Sequence, residues 1–148
     1  MKGTYCLIIE LNNRTNLKVG CIGKLDLKKG FYIYVGSALN SLESRVKRHL
    51  SSKKKVHWHI DYFLTHNDTQ IREVLFSIGD EKIECNLASN ILEKGKGIVN
   101  FGCSDCKCSS HLIYFKEYSE ALKYTKQAFN KLNIESNNLE FLLSLERT

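Results

Sequence analysis

Short apolar runs of strand length recur along the chain, with polar turn residues between them. In the first run, over residues 5–11, every second side chain would point to the same face of a strand. The side chains predicted to share that face are those of Tyr5, Leu7, Ile9 and Leu11. The pattern as a whole predicts strands over residues 5–11, 18–23, 31–36, 71–78 and 111–115.

Helical spacing of apolar residues occurs between these strands and after the last one. The first helix is expected to begin at Asn40, a good N-cap residue, with Glu43 three positions later as in a capping box. Further helices are predicted over residues 57–64, 82–93 and 119–132, with a short helical pattern near the end. The short neighbouring strands favour antiparallel pairing. The predicted fold class is therefore α/β (α+β), a small central antiparallel sheet flanked by helices.

The length of 148 residues suits one hydrophobic core and is too short for two. We expect a single domain over residues 1–148, with a core over about 3–115 and a C-terminal helical extension over about 117–148. No apolar run approaches the ~20 residues that cross a bilayer. The N-terminal residues also lack the pattern of a signal peptide. The sequence therefore predicts a cytoplasmic protein without a membrane partner.

The chain is basic, with a net charge of +6 and a pI near 9.0. Such a charge favours a polyanionic partner such as DNA, although a lysine-rich surface that only confers solubility has the same composition. A basic cluster beginning in the first predicted helix is a candidate contact for backbone phosphates, which it would bind without reading sequence. Its members are Lys47, Arg48, Lys53, Lys54 and Lys55.

The first predicted helix carries basic residues on its apolar face. Leu42, Arg45, Val46 and His49 recur at the spacing of one helical face. Burying an unpaired guanidinium is costly, so Arg45 is expected at the rim of a cleft or against an anion. The alternative is a boundary arginine that extends to water over a packed histidine.

The strand before this helix ends with Tyr34, Val35 and Gly36, and Ser37 begins the turn. Gly36 would let a substrate approach the backbone because it has no side chain. Tyrosines in strands usually serve sheet packing. A tyrosine close to both an arginine and a histidine instead favours a functional site.

Two short motifs resemble the pair of motifs that names the GIY-YIG nucleases, and they occur in the same order along the chain. They are Gly3-Thr4-Tyr5 on the first predicted strand and Tyr34-Val35-Gly36 on the third. Arg45 follows Gly36 by nine residues, as an arginine does in that family. The fuller strings GFYIYVGSA (30–38), HWHIDY (57–62) and SDCKCSSHL (104–112) resemble a prokaryotic branch of that superfamily, which includes fusions to base-excision repair enzymes. The resemblance covers about residues 3–115.

The chain departs from the family pattern in two ways. Thr4 and Val35 stand where the family usually has isoleucine. The stretch between the two motifs is also longer than in typical members. We therefore expect an inserted or lengthened hairpin within residues 12–30.

The resemblance implies a metal-dependent endonuclease that hydrolyses phosphodiester bonds in DNA, with branched or damaged DNA as expected substrates and a role in DNA repair or processing. It implies Tyr5 or Tyr34 as the general base, without separating the two. Arg45 would lower the pKa of the phenol and bind the phosphate. His49 would assist proton transfer or orient a tyrosine. Glu84, on a later helix, would hold Mg²⁺ or Mn²⁺.

Further substrate contacts are expected around this site. Gly36 and Ser37 would face the substrate, and Asn100 matches a late polar residue of some family members. His57, His59 and Asp61 have the H-x-H-x-D spacing of a metal site if they lie on a strand. The apolar residues around them favour a helix, and with it a substrate contact for His57.

A dense group of thiols near the C-terminal third offers a different chemistry. Cys103, Cys106, Cys108 and His111 have spacings that can hold a structural Zn²⁺, with Cys85 as a further candidate ligand. Buried free thiols and a local disulfide are the alternatives. The sequence thus leaves two other functions open: a non-catalytic nucleic-acid-binding module of the same fold, and a zinc-binding protein centred on residues 103–111.

Overall fold

The computed structural model of the chain describes residues 1–99, 101 and 110–145. Within that part, the strands are β1 (Gly3–Leu11), β2 (Thr15–Val19), β3 (Gly23–Leu27), β4 (Gly30–Ala38), β5 (Thr69–Ile78), β6 (Lys96–Gly97), β7 (Leu112–Phe115) and β8 (Asn137–Asn138). The α-helices are α1 (Leu42–Leu50), α2 (His59–Leu64), α3 (Glu84–Leu92), α4 (Tyr118–Lys131) and α5 (Leu139–Leu145).

A six-stranded sheet forms the centre of the described chain, in the order β6-β7-β4-β1-β5-β8. Every neighbouring pair in it is antiparallel. Helices lie on both of its faces, so the predicted fold class is confirmed. β1 occupies an inner position and pairs along its full length with β4 and β5. This pairing on both sides fixes the positions of the side chains that β1 carries.

The two faces of the sheet bury separate apolar clusters. Tyr5, Leu7, Ile9 and Leu11 share one face, as the alternation predicts, and pack toward α1 and α2. The opposite face of β1 contributes Cys6 and Ile8 to a cluster with α3 and α4. Phe129 of α4 is fully buried in that second cluster.

The expected hairpin within residues 12–30 is present. β2 and β3 pair with each other as a separate two-stranded sheet, from Thr15 opposite Leu27 to Val19 opposite Gly23. The strand predicted over 18–23 is wrong in its bounds, because Gly20–Ile22 form a short 3₁₀ turn there. Gly20 and Gly23 have φ values of 45° and 93°, a region that glycine enters most easily.

Two helix starts differ from the sequence prediction. The N-cap of α1 is Ser41 instead of Asn40, since the Ser41 hydroxyl accepts a hydrogen bond from the Ser44 N–H at 3.2 Å. The predicted helix over 57–64 begins at His59, two residues later. In the described part of the chain, no helix combines the length and apolarity needed to cross a membrane.

Candidate active site

A cavity of about 320 Å³ lies where β1, β4, α1 and α3 approach the segment that enters α2. Its described lining combines phenols, imidazoles, one guanidinium and one carboxylate. These residues are Tyr5, Tyr34, Gly36, Ser37, Arg45, His57, Trp58, His59, Glu84, Phe101 and His111. Four of the five predicted catalytic side chains therefore line one cavity, and the fifth, His49, contacts one of them.

Tyr5 reaches this cavity because its neighbour across the sheet has no side chain. The register of β1 and β4 places Tyr5 opposite Gly36. A Cβ atom built at residue 36 would lie 2.5 Å from the Tyr5 Oη atom, so the ring occupies the space that a larger residue would fill. The space beside the glycine that was predicted to admit a substrate is thus occupied by the tyrosine.

The Tyr5 hydroxyl forms a hydrogen bond with a buried histidine of α1. Its Oη atom lies 2.8 Å from the Nε2 atom of His49, and the two side chains are almost wholly buried. Burial, reinforced by the nearby Lys54 ammonium, lowers the pKa of His49 to about 3. Burial also raises the pKa of Tyr5 well above its ordinary value. At neutral pH the pair is therefore uncharged, with the phenol protonated.

Tyr34 stands beside this pair on β4. Its ring centroid lies 6.5 Å from that of Tyr5 and 6.1 Å from that of His49. Burial raises the pKa of Tyr34 above its ordinary value, and the negative charge of Glu84 raises it further. Tyr34 also keeps its proton at neutral pH.

Arg45 brings a fixed positive charge to the cavity. Its Nη1 atom donates to the Ser37 carbonyl oxygen at 3.1 Å, and its guanidinium lies 4.4 Å from the Trp58 ring centroid. These contacts hold Arg45 at the rim of the cavity. The guanidinium works against the rise in the pKa of Tyr5, although burial outweighs it.

Glu84 brings the negative charge. It is the first residue of α3, and its Oε2 atom lies 3.0 Å from the His111 Nδ1 atom. Burial alone would raise the pKa of the Glu84 carboxyl, but hydrogen bonds from His111 and Ser37 and the charge of Arg45 lower it below its ordinary value. Glu84 is ionised at neutral pH, and 28% of its side chain is exposed.

The structure describes only part of the cysteine-rich set that was predicted as a zinc site. The Cys85 Sγ atom lies 4.0 Å from the His111 Nε2 atom, whose ring contacts Glu84 through its other nitrogen. Among the described residues, no group of three or more histidine, cysteine, aspartate or glutamate side chains is placed to hold a metal ion. Four of the predicted site residues lie outside the described residues: Asn100, Cys103, Cys106 and Cys108.

The predicted basic cluster does not line the cavity, and its members Arg48 and Lys54 make internal contacts. Arg48 donates to both carboxylate oxygens of Asp61, at 2.9 and 2.8 Å, and to the Lys55 carbonyl oxygen. Lys54 donates to the His49 carbonyl oxygen at 2.7 Å. The exposed members are Lys47, Lys53 and Lys55. Arg48 and Lys54 therefore organise the chain around the site.

Asp61 holds the segment that carries His57 and Trp58. Besides pairing with Arg48, its carboxylate accepts the backbone N–H groups of both residues at 2.9 Å. Burial alone would raise the pKa of Asp61, but the hydrogen bonds from Arg48, Trp58 and His57 lower it to about 2. This capping explains why α2 begins at His59. It also excludes the H-x-H-x-D metal site, because the Asp61 carboxylate is committed to these donors.

Sequence reasoning did not identify the aromatic part of the cavity. Trp58 lies under the guanidiniums of both Arg45 and Arg48, at 4.4 and 4.3 Å. The Phe101 ring contacts those of Tyr34 and His59 at centroid distances of 6.3 and 6.1 Å. The single tryptophan of the chain, between two histidines, was the available signal.

Comparison with known proteins identifies a family. The model of a family described as a domain of unknown function, DUF123, matches residues 4–134. Neither a curated protein nor a solved structure matches the chain. The matched range includes all four catalytic candidates that line the cavity.

Proposed function

The chain belongs to the DUF123 family, and we propose that it is a GIY-YIG-like, metal-dependent endonuclease that hydrolyses phosphodiester bonds in DNA. The observation that carries this proposal is the meeting of two phenols, a guanidinium and an ionised carboxylate at one cavity of about 320 Å³. Phosphodiester hydrolysis needs an activated water and positive charge at the phosphate. The cavity holds a candidate for each role.

Arg45 is the candidate phosphate ligand. It is held from one side by the Ser37 carbonyl oxygen and from another by the Trp58 ring. An arginine fixed in this way loses little side-chain freedom when it binds an oxyanion, and its planar group can donate two hydrogen bonds.

The donor chemistry beside Arg45 fits Mg²⁺ or Mn²⁺. Glu84 offers a partly exposed, ionised carboxylate, and hydroxyl oxygens of Ser37 and Tyr34 belong to the same cavity. Magnesium prefers such oxygen ligands and retains several waters, so a single carboxylate suffices when the substrate supplies further oxygens. Glu84 would hold the ion, and the bound ion would supply positive charge to the phosphate and to the attacking water.

Tyr5 is the favoured general base, since His49 can take its proton. The Tyr5 proton moves to the His49 Nε2 atom, 2.8 Å away, and the resulting phenolate oxygen removes a proton from water. In the resting chain this transfer is unfavourable, because burial raises the pKa of the phenol and lowers that of the imidazole. Arg45 opposes that cost by stabilising the phenolate. Tyr34 keeps its proton and donates a hydrogen bond to a phosphate oxygen.

The test is incubation of the protein with duplex, flapped, bulged and damaged DNA in Mg²⁺ or Mn²⁺. Arg45→Ala and Glu84→Gln should each lower cleavage at least 100-fold, the scale of losing one charge-stabilising group. Arg14→Ala and Glu93→Gln are matched controls, because both residues lie in exposed ion pairs outside the cavity. Cleavage that survives both cavity substitutions would remove this active site.

A non-catalytic nucleic-acid-binding module is the alternative function. The raised pKa values of both phenols favour it, because a protonated phenol is a poor base. The same incubation separates the two functions. DNA binding that depends on Arg45, without cleavage in either metal, would favour the module.

A structural zinc ion near Cys85 and His111 also stays a prediction. Their 4.0 Å contact suits two ligands of one ion, and the carboxylate of Glu84 on the other ring nitrogen resembles the partners that orient zinc-bound histidines. Metal analysis of protein purified without added zinc decides the question. One zinc per chain, lost in Cys85→Ser, would support it, and metal-free protein would refute it.

A further inference from the structure

We infer that the aromatic side of the cavity binds one unstacked nucleotide, so that the preferred DNA carries an unpaired base beside the scissile phosphate. This inference rests on the proposed nuclease function and names its substrate class. It is carried by three features of the cavity: the depth of its proposed base, its aromatic wall and the single positive charge among its described lining residues.

The proposed base, Tyr5, lies too deep for a continuous duplex. Tyr5 is 1% exposed and its partner His49 is 2% exposed, so a phosphate must enter the cavity to meet the Tyr5 hydroxyl. The cavity volume of about 320 Å³ is at the lower end of small-ligand sites, the size class of one nucleotide. A stacked base pair does not fit there. Enzymes with recessed sites meet this constraint by taking the nucleotide out of the stack.

The wall beside Arg45 is built from aromatic rings. His57 and His59 flank Trp58 in sequence, and all three line the cavity. The Trp58 ring is already in contact with two guanidiniums. The His59 ring instead lies beside the Phe101 ring, with 6.1 Å between the two centroids. Aromatic rings bind extruded or single-stranded bases by stacking, with an effect on the order of tenfold in affinity for each base. His59 is therefore the favoured stacking partner.

The charge at the cavity fits one phosphate. Arg45 is the single lysine or arginine among the described lining residues, and the basic cluster from Lys47 to Lys55 does not line the cavity. A site that gripped a length of duplex would present several cations along the backbone path. One guanidinium next to a row of rings instead matches one phosphate with its attached base.

The test compares two DNAs that differ by one nucleotide and its phosphate, a continuous duplex and the same duplex with a single bulged nucleotide. Affinity is measured by fluorescence anisotropy with the Glu84→Gln variant, which separates binding from cleavage. We expect at least tenfold tighter binding of the bulged DNA. His59→Ala should remove most of this preference, and His59→Phe, which keeps a ring, should retain it.

Phe141→Ala is the control for loss of an aromatic side chain, since Phe141 lies on α5, is 41% exposed and is not part of the cavity. If His59→Ala is unstable, His57→Ala tests the same wall at an exposed position. Equal affinity for the two DNAs overturns the inference, even if the wild-type protein cleaves both and the nuclease proposal survives. Bulge preference without any cleavage supports the nucleotide site and counts against the nuclease.

Discussion

Tyr5 fills the space left by Gly36 on the neighbouring strand: a Cβ atom at residue 36 would lie 2.5 Å from the Tyr5 Oη atom and 2.6 Å from its Cζ atom. The antiparallel register of β1 and β4 makes these two residues direct partners. The position of the phenol, and through it the bond to His49, therefore depends on the missing side chain of residue 36.

Gly36→Ala should displace the Tyr5 ring and strain the sheet. Overpacking of this kind costs about 1–3 kcal/mol, which urea denaturation can measure. In a double-mutant cycle with Tyr5→Phe, the two substitutions should couple, because Tyr5→Phe removes the oxygen nearest to the added methyl group. Additive effects would show that the two residues do not share this space in solution.

The buried His49 predicts a dependence of stability on pH. The pKa of His49 is about 3 in the folded chain and 6.5 in the unfolded chain. Between these values the unfolded chain binds a proton that the folded chain does not. The contribution of the neutral His49 to the free energy of unfolding is therefore fully present above pH 6.5. It is lost as the pH decreases, by up to about 1.4 kcal/mol per pH unit.

The measurement is the free energy of unfolding at pH 7, 6, 5 and 4, for the wild type and His49→Gln. Glutamine can still bond to the Tyr5 hydroxyl but does not titrate, so the variant should lose this part of the pH slope. Identical slopes for the two proteins would mean that His49 is not buried in its neutral form.

Asp61→Asn should destabilise the chain around the cavity. The Asp61 carboxylate accepts from Arg48 and from two backbone N–H groups, and it is wholly buried. Neutralising one partner of a buried ion pair costs about 3–5 kcal/mol. Asp26→Asn is the matched control: Asp26 also pairs with an arginine, Arg14, but at an exposed site where the loss should not be measurable. An equally mild effect of both substitutions would contradict the structural role of Asp61.

The proposed base predicts that cleavage accelerates at alkaline pH. Besides passing its proton to His49, Tyr5 can lose it to solvent, and because burial raises the pKa of Tyr5 this phenolate fraction keeps growing as the pH rises above neutrality. The logarithm of kcat/KM should therefore increase with pH between about 7 and 9. Replacing Tyr5 with a fluorinated tyrosine, which is more acidic, should shift this rise to lower pH. A profile unchanged by fluorination would exclude Tyr5 as the base.

Local patterns predicted the sheet well, because alternation reports directly on burial of one strand face. The Tyr5 face was found this way, whereas the extra hairpin was expected from the long stretch between the two family-like motifs. Helix starts were less predictable, since they depend on which side chain reaches the free backbone donors. At α2 that side chain is Asp61, which lies inside the helix it caps.

Of the candidate site, only the residues that belong to sequence motifs could be predicted, and not the contacts between them. The meeting of Arg45 with Trp58, and of Glu84 with His111, joins elements distant in sequence, and no periodicity encodes such contacts. The basic cluster shows a limit of reasoning from composition. Composition marked Arg48 and Lys54 as phosphate contacts, whereas tertiary structure commits them to Asp61 and to the backbone.

Helix α1 directs three neighbouring side chains to three different partners: Arg45 to the cavity rim, Arg48 to Asp61 and His49 to Tyr5. Inserting one residue ahead of them would rotate all three by about 100° and break every one of these contacts together. The β2–β3 hairpin forms its own small sheet, so a change in its length leaves the register of the six-stranded sheet intact. Among relatives, differences in length should therefore accumulate in the hairpin, while α1 keeps a fixed number of residues.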